Sequence, residues 1–119
     1  MGHYDLGREG EKIAKEYLIK NAYKVIETNW RSKGNEVDII AKIEDIIVII
    51  EVKSRSSTIF NLPHQAVDRN KQRSIIRVAE SYILRNRLDL AVRFDIITVV
   101  FENQKHKINH IKNAFFPLI

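Results

Sequence analysis

The sequence predicts an α/β fold, a central mixed β-sheet flanked by helices in the order α-β-β-β-α-β, and three observations lead to it. Apolar or small residues at Leu6, Gly10, Ile13, Ala14, Tyr17 and Leu18 recur at helical spacing. Three strand-like segments then follow one another with only short turns between them. The third, Ile46 to Val52, is a nearly continuous β-branched run, the pattern of a central strand covered on both faces. Strands in direct succession need no crossover helices, so a mixed sheet is favoured over a parallel one.

Taken in order, the first helix spans Leu6 to Leu18, with Asp5 as its N-cap and Arg8, Glu9, Lys12, Lys15 and Glu16 on its other faces. Tyr23 to Thr28 reads as a strand. Ser32-Lys33-Gly34-Asn35 holds the turn residues that reverse the chain into a second strand, Glu36 to Ala41. The Glu44-Asp45 break precedes the Ile46 run. After a polar loop from Ser54 to Pro63, Asp68 caps a second helix whose buried stripe is Ile75, Ile76, Ala79, Tyr82 and Ile83. Arg69, Lys71, Arg73, Arg77 and Arg85 give that helix a basic exterior. Val92 to Phe101 is a further strand, and Lys107 to Ile111 a candidate edge strand.

The chain of 119 residues, 45% of them hydrophobic, suits a single domain over residues 1–119 with one core. Twenty Lys and Arg against fifteen Asp and Glu give a net charge of +5, compatible with a polyanionic partner. The absence of cysteine excludes disulfides, thiolate metal sites and thiol nucleophiles. The first twenty residues lack the apolar stretch of a signal peptide, and the longest apolar run is far short of the ~20 residues that cross a bilayer. A cytoplasmic protein without membrane contact is the expectation.

The chemistry-bearing residues gather at strand ends. Acid-x-lysine arises by chance in a chain this charged, so Glu51-Val52-Lys53 draws its weight from closing a buried strand. Strand periodicity puts Glu51 and Lys53 on one face and Val52 on the other. If the preceding strand pairs antiparallel across Glu44-Asp45, Asp38 comes beside Glu51. Two carboxylates, with the Val52 carbonyl as a third oxygen, suit Mg2+ or Mn2+, and Lys53 could orient a water or stabilise a transition state. A strand-end salt bridge without chemistry fits the same spacing equally well. Glu36 shares the Asp38 strand face and reads as a surface acid.

Several segments together resemble one family. They are Gly7-x-x-Gly10-Glu11-x-x-Ala14-x-x-Tyr17-Leu18, Asn29-x-Arg31-x-x-Gly34-x-Glu36-x-Asp38-Ile39-Ile40-Ala41, Ile50-Glu51-Val52-Lys53-x-Arg55, Ala66-Val67-Asp68-x-x-Lys71 and Arg93-Phe94-Asp95. In this order they resemble the YraN family of small bacterial proteins, over about Leu6 to Phe116. That family is predicted to have the restriction-endonuclease-like fold of the PD-(D/E)xK superfamily, distantly similar to archaeal Holliday-junction resolvases. The resemblance implies metal-binding carboxylates at Asp38 and Glu51, a catalytic lysine at Lys53, and a first-helix glutamate, Glu11, that completes the site. Asn35 and His64-Gln65 depart from the family pattern without touching these residues.

The expectation is therefore a magnesium-dependent endonuclease acting on DNA, with branched or structured forms among the candidate substrates. The alternatives are a catalytically silent nucleic-acid-binding module with the same fold and a protein-interaction domain. Arg31, Lys33, Arg55, Lys71 and Arg73 lie near the proposed site and form a set suited to phosphate contact. Trp30 and Tyr23 are better read as packing residues than as base-stacking platforms. His106 and His110 have helical metal-ligand spacing, but their surroundings alternate like a strand and offer no third ligand. Paired cuts would call for a homodimer, for which the sequence shows no interface.

Overall fold

The computed structural model describes residues 6–56 and 67–117. Asp5, His64-Gln65 and most of the expected polar loop lie outside the described residues. Within them the order is α1 (Leu6–Lys20), β1 (Lys24–Ser32), β2 (Asn35–Ile43), β3 (Ile46–Ser56), α2 (Arg69–Arg85), β4 (Ala91–Glu102) and β5 (Lys105–Phe115). The five strands form one sheet in sequence order, β1-β2-β3-β4-β5. All neighbours are antiparallel except β3 and β4, which run parallel. Parallel neighbours need a long crossover, and α2 supplies it.

The mixed α/β sheet matches the sequence expectation, with longer strands. β1 continues to Ser32 because β2 pairs with it up to Ser32 and Asn35, leaving Lys33-Gly34 as a two-residue turn. Both turn residues have positive φ, 52° and 82°, the backbone twist that suits a tight hairpin. β3 extends through Ser54 to Ser56, where a loop was expected, because β4 offers parallel partners as far as Phe101. Tertiary pairing here outweighs the polar composition. The edge strand expected over Lys107–Ile111 is a full strand, β5, joined to β4 by Asn103-Gln104, again with positive φ at both residues.

Each face of the sheet is covered by one helix. Ile13, Ala14 and Leu18 of α1 pack with Ile39, Ala41, Val48, Ile50, Ile97 and Val99. Ile75, Val78, Ala79 and Tyr82 of α2 pack with Ile40, Ile47, Ile49, Phe94 and Ile96 on the other side. Ile47 and Ile49 thus face α2 while Val48 and Ile50 face α1, which is why the β3 run shows no polar alternation. Ile76 and Ile83, expected in the α2 stripe, flank this core half-buried. α1 ends in a Schellman arrangement, with Tyr23 N–H donating to Leu18 O at 2.9 Å, Ala22 N–H to Ile19 O at 3.2 Å, and Ala22 at φ 72°. No helix among the described residues is long and apolar enough to cross a membrane.

Candidate functional site

The site lies where β2 and β3 stop exchanging ladder hydrogen bonds. Their antiparallel register runs to Ile39 opposite Ile50. One step further puts Asp38 directly opposite Glu51, with Cβ atoms ~5 Å apart in such a pair. The backbone bond that would continue the ladder is replaced: Val52 N–H donates to Asp38 Oδ2 at 2.7 Å. Val52 therefore serves the site through its N–H. Glu51 follows Ile47 and Ile49 on the α2 face and is only 3% exposed.

Two acids this close and this buried oppose one another. Asp38 is pushed up to about 8, first by burial, then by a hydrogen bond to Glu51 and by its charge; the Val52 N–H and Lys71 pull the other way. With both groups ionised, Glu51 Oε1 is buried without a donor among the described residues. A proton shared between the carboxylates relieves this below about pH 8, and a cation would relieve it above.

Among the described residues, the ammonium that reaches the pair is that of Lys71. Lys71 Nζ lies 3.2 Å from Glu51 Oε2, extending inward from a side chain that is 42% exposed. The N-cap fixes its backbone, since Asp68 Oδ1 accepts from Lys71 N at 2.8 Å. Lys53 shares the Glu51 face of β3 by strand periodicity and is half-buried.

The remaining expected residues fall in different places. Glu11, on α1, accepts from Asn29 Nδ2 at 2.9 Å. Asn29 sits between Thr28 and Trp30, which pair with Ile39 and Val37, so it stands beside Asp38 on the neighbouring strand. Its φ of 53° interrupts β1 at that level. Glu11 is thus tied to the strand next to the site, while the converging pair is Asp38 and Glu51. Among the described residues no three His, Cys, Asp or Glu side chains gather as a metal cluster.

Arg31 Nε donates to Glu36 Oε1 at 2.8 Å, which engages Glu36 as the surface acid it was expected to be. Arg55 Nη1 meets Ser54 O at 3.1 Å, Arg73 Nη1 meets Asn70 Oδ1 at 3.3 Å, and Lys33 occupies the exposed β1-β2 turn. Trp30 packs edge-on against Tyr82, with ring centroids 5.2 Å apart and the Arg85 guanidinium 5.6 Å from its centroid. Tyr23 is buried in the α1-face core. Both tyrosine and tryptophan are packing residues, as expected.

A second buried acid escaped sequence reasoning. Asp95, fully buried, accepts from Arg93 Nε at 2.9 Å and Nη2 at 2.8 Å, and from Asn113 N–H at 3.1 Å. His110 Nε2 lies 2.7 Å from Asp95 Oδ2, and its Nδ1 lies 2.8 Å from Tyr17 Oη. A neutral His110 donating from Nε2 and accepting at Nδ1 satisfies both contacts. Arg93 Nη2 also donates to the Tyr23 hydroxyl at 2.7 Å. Burial would raise the Asp95 carboxyl, but the bonds from His110, Arg93 and Asn113 hold it below its ordinary value. The available signal was an acid inside the apolar stretch Phe94-Asp95-Ile96. His110 is engaged here and His106 lies beside Phe101, so the two histidines on β5 serve separate surroundings.

The profile of the uncharacterised protein family UPF0102 matches residues 10–99, which include Glu11, Asp38, Glu51, Lys53 and Lys71. The chain belongs to the UPF0102 family. A UPF0102 protein of Bacteroides thetaiotaomicron is 45% identical over 115 residues, 97% of this chain and 95% of its own. One from Thermodesulfovibrio yellowstonii is 46% identical over 116 residues, 98% of this chain and all of its own. The UPF0102 protein of Clostridium beijerinckii is 46% identical over 114 residues, 93% of each chain. UPF0102 membership thus extends over both strands of the carboxylate pair and the helix that presents Lys71.

Proposed function

We propose that this UPF0102 chain is a magnesium-dependent endonuclease acting on DNA by phosphodiester hydrolysis, built as a single PD-(D/E)xK-type domain within the YraN family. The observation that supports this best is the Asp38-Glu51 pair, whose buried Glu51 Oε1 has no donor among the described residues and whose Asp38 is raised first by burial and then by Glu51. Two adjacent carboxylates short of positive charge fit a hard, oxygen-seeking divalent cation. When bound, Mg2+ or Mn2+ would make water more acidic and shield charge building on a phosphate.

Asp38 and Glu51 hold that cation in this reading, and the Val52 N–H fixes the rotamer of Asp38. Lys53, on the same face, orients the attacking water and stabilises the charge on the phosphate oxygens. Glu11, whose carboxylate accepts from Asn29 on the strand next to Asp38, is the third acid of this reading. Hydrolysis consumes one water: its oxygen bonds to phosphorus, the opposite P–O bond breaks, and a proton ends on the departing hydroxyl. Arg31, Lys33, Arg55 and Arg73 supply sequence-independent phosphate contacts. A homodimer would allow paired cuts, and the setting is the cytoplasm.

The test is a panel of duplex, single-stranded, flap and four-way DNA incubated with Mg2+. Glu51→Gln and Lys53→Ala are expected to reduce cleavage by ~100-fold or more while melting cooperatively. Undiminished cutting by either variant overturns its role. One observation favours a second reading, a nucleic-acid-binding module without turnover: Lys71 already neutralises Glu51. Salt-sensitive binding without any product across the panel would select it.

A further inference from the structure

Lys71 stands in the first turn of α2 together with Arg69, a turn that contains no acid. Cations at that end of a helix are disfavoured by the helix dipole. The anion that the Lys71 ammonium meets is Glu51, with Oε2 at 3.2 Å. Arg69, Arg73 and Arg77 fall on the outer side of the helix, whereas Lys71 lies toward the sheet with Ile75, Val78 and Tyr82. Its side chain bridges solvent and a buried carboxylate, 42% exposed against 3% for Glu51.

We infer that Lys71 is a second lysine of the reaction, exchanging Glu51 for the scissile phosphate as a divalent cation enters; this rests on the metal-dependent reading above. Without the cation, its ammonium is the positive charge on Glu51. A divalent ion taken by Glu51 Oε1, the oxygen without a donor among the described residues, would set a second positive charge beside the ammonium on Oε2 and repel it. The freed ammonium, anchored by the capped helix turn and carried on a flexible four-carbon stem, would then meet the nearest anion, the phosphate of the bound substrate. Lys53 approaches along the strand and Lys71 from the helix, so the phosphate is contacted from two directions.

Lys71→Met removes the charge and keeps the stem, and Lys71→Gln serves as a second variant. Arg77→Met, on the outer side of the same helix, controls for the net charge change. Mg2+ is titrated at pH 9.0 by calorimetry, and DNA cleavage is measured on the same samples. Removing an opposite charge this near a carboxylate changes its affinity for a cation by about tenfold. Both Lys71 variants are expected to bind Mg2+ about tenfold more tightly and to cleave more slowly, with Arg77→Met unchanged in both. Damage to the fold would weaken both properties together, so the opposed changes are diagnostic. Equal Mg2+ affinity in wild type and Lys71→Met, or undiminished cleavage, overturns the inference and leaves the metal site standing. A wild-type protein that takes up no Mg2+ overturns the metal reading itself, and the inference with it.

Discussion

Asp38→Asn separates a carboxylate pair that must be neutralised from one that is merely buried. Asp38 is raised from 3.8 to about 8 in the folded protein, by burial and by Glu51. The folded state therefore holds a proton that the unfolded chain releases near pH 4. Its stabilising effect is complete below pH 4 and is lost as the pH climbs toward 8, because the unfolded state binds fewer protons throughout that window. Each pH unit corresponds to about 1.4 kcal/mol, so the ceiling is ~6 kcal/mol. Relaxation and water entry at the half-exposed end of the pair bring the expectation to ~2–3 kcal/mol, the cost of one unsatisfied buried polar group. In Asp38→Asn the amide oxygen accepts from Val52 N–H and the amide nitrogen donates to Glu51 at every pH. Urea unfolding in EDTA from pH 4.5 to 9 should show variant and wild type close together at the acid end. At pH 9 the variant should be the more stable by ~2–3 kcal/mol. Mg2+ should restore the wild type at pH 9 and leave the variant unmoved. Parallel profiles for the two proteins across the whole range would refute this account of the pair.

Other predictions concern the framework. Ala22→Gly should stabilise by ~0.5–1 kcal/mol in chemical denaturation, because alanine at φ 72° is strained and glycine is not; no gain would mean that the helix end relaxes freely. Gly10→Ala puts a methyl against Ser54 Oγ, a buried hydroxyl with no partner among the described residues. A loss of ~1–3 kcal/mol is expected, largely recovered in Gly10→Ala/Ser54→Ala, and a double-mutant cycle reads the coupling directly. Asp95→Asn leaves the Arg93 guanidinium without its counter-charge in a closed setting and should cost ~3–5 kcal/mol by thermal melting; a melting point within a degree or two of wild type would show that Tyr23 and water suffice.

The fold was legible wherever one face or both were buried. The helical stripe of α1 and the run in β3 named their environments directly, because apolar spacing is fixed by which surfaces leave water. Ser54 to Ser56 and the ends of β5 were not legible in the same way. They are polar or half-exposed segments made into strand by pairing with β4, which no local pattern announces. The approach of Asp38 to Glu51 followed from counting back from a tight turn, since antiparallel register leaves no freedom once the turn is placed. The Lys71 contact could not be counted. It depends on how α2 packs across the sheet, so the sequence offered Lys71 only as one of five basic residues near the site suited to phosphate contact.

The two buried acid systems of this sheet give the strongest internal comparison. Asp95 and Glu51 sit near the same level of neighbouring parallel strands, on opposite faces, with Asp95 beside Ile50 and Glu51 beside Ile96. Asp95 accepts from a bidentate arginine, an imidazole and a backbone N–H, and its charge is held low in pKa by them. Such a carboxylate has no lone pair or charge to spare for a cation. Among the described residues Glu51 has one lysine, reached from solvent, and an oxygen without a donor, while its neighbour Asp38 is raised instead of lowered. A fold that satisfies one buried acid completely shows what structural use of such a group requires. The Asp38-Glu51 pair falls short of that standard in the two respects a bound cation would supply, charge and coordination, and this contrast between the faces, more than the acid-x-lysine spacing, supports the site proposed on the α2 face.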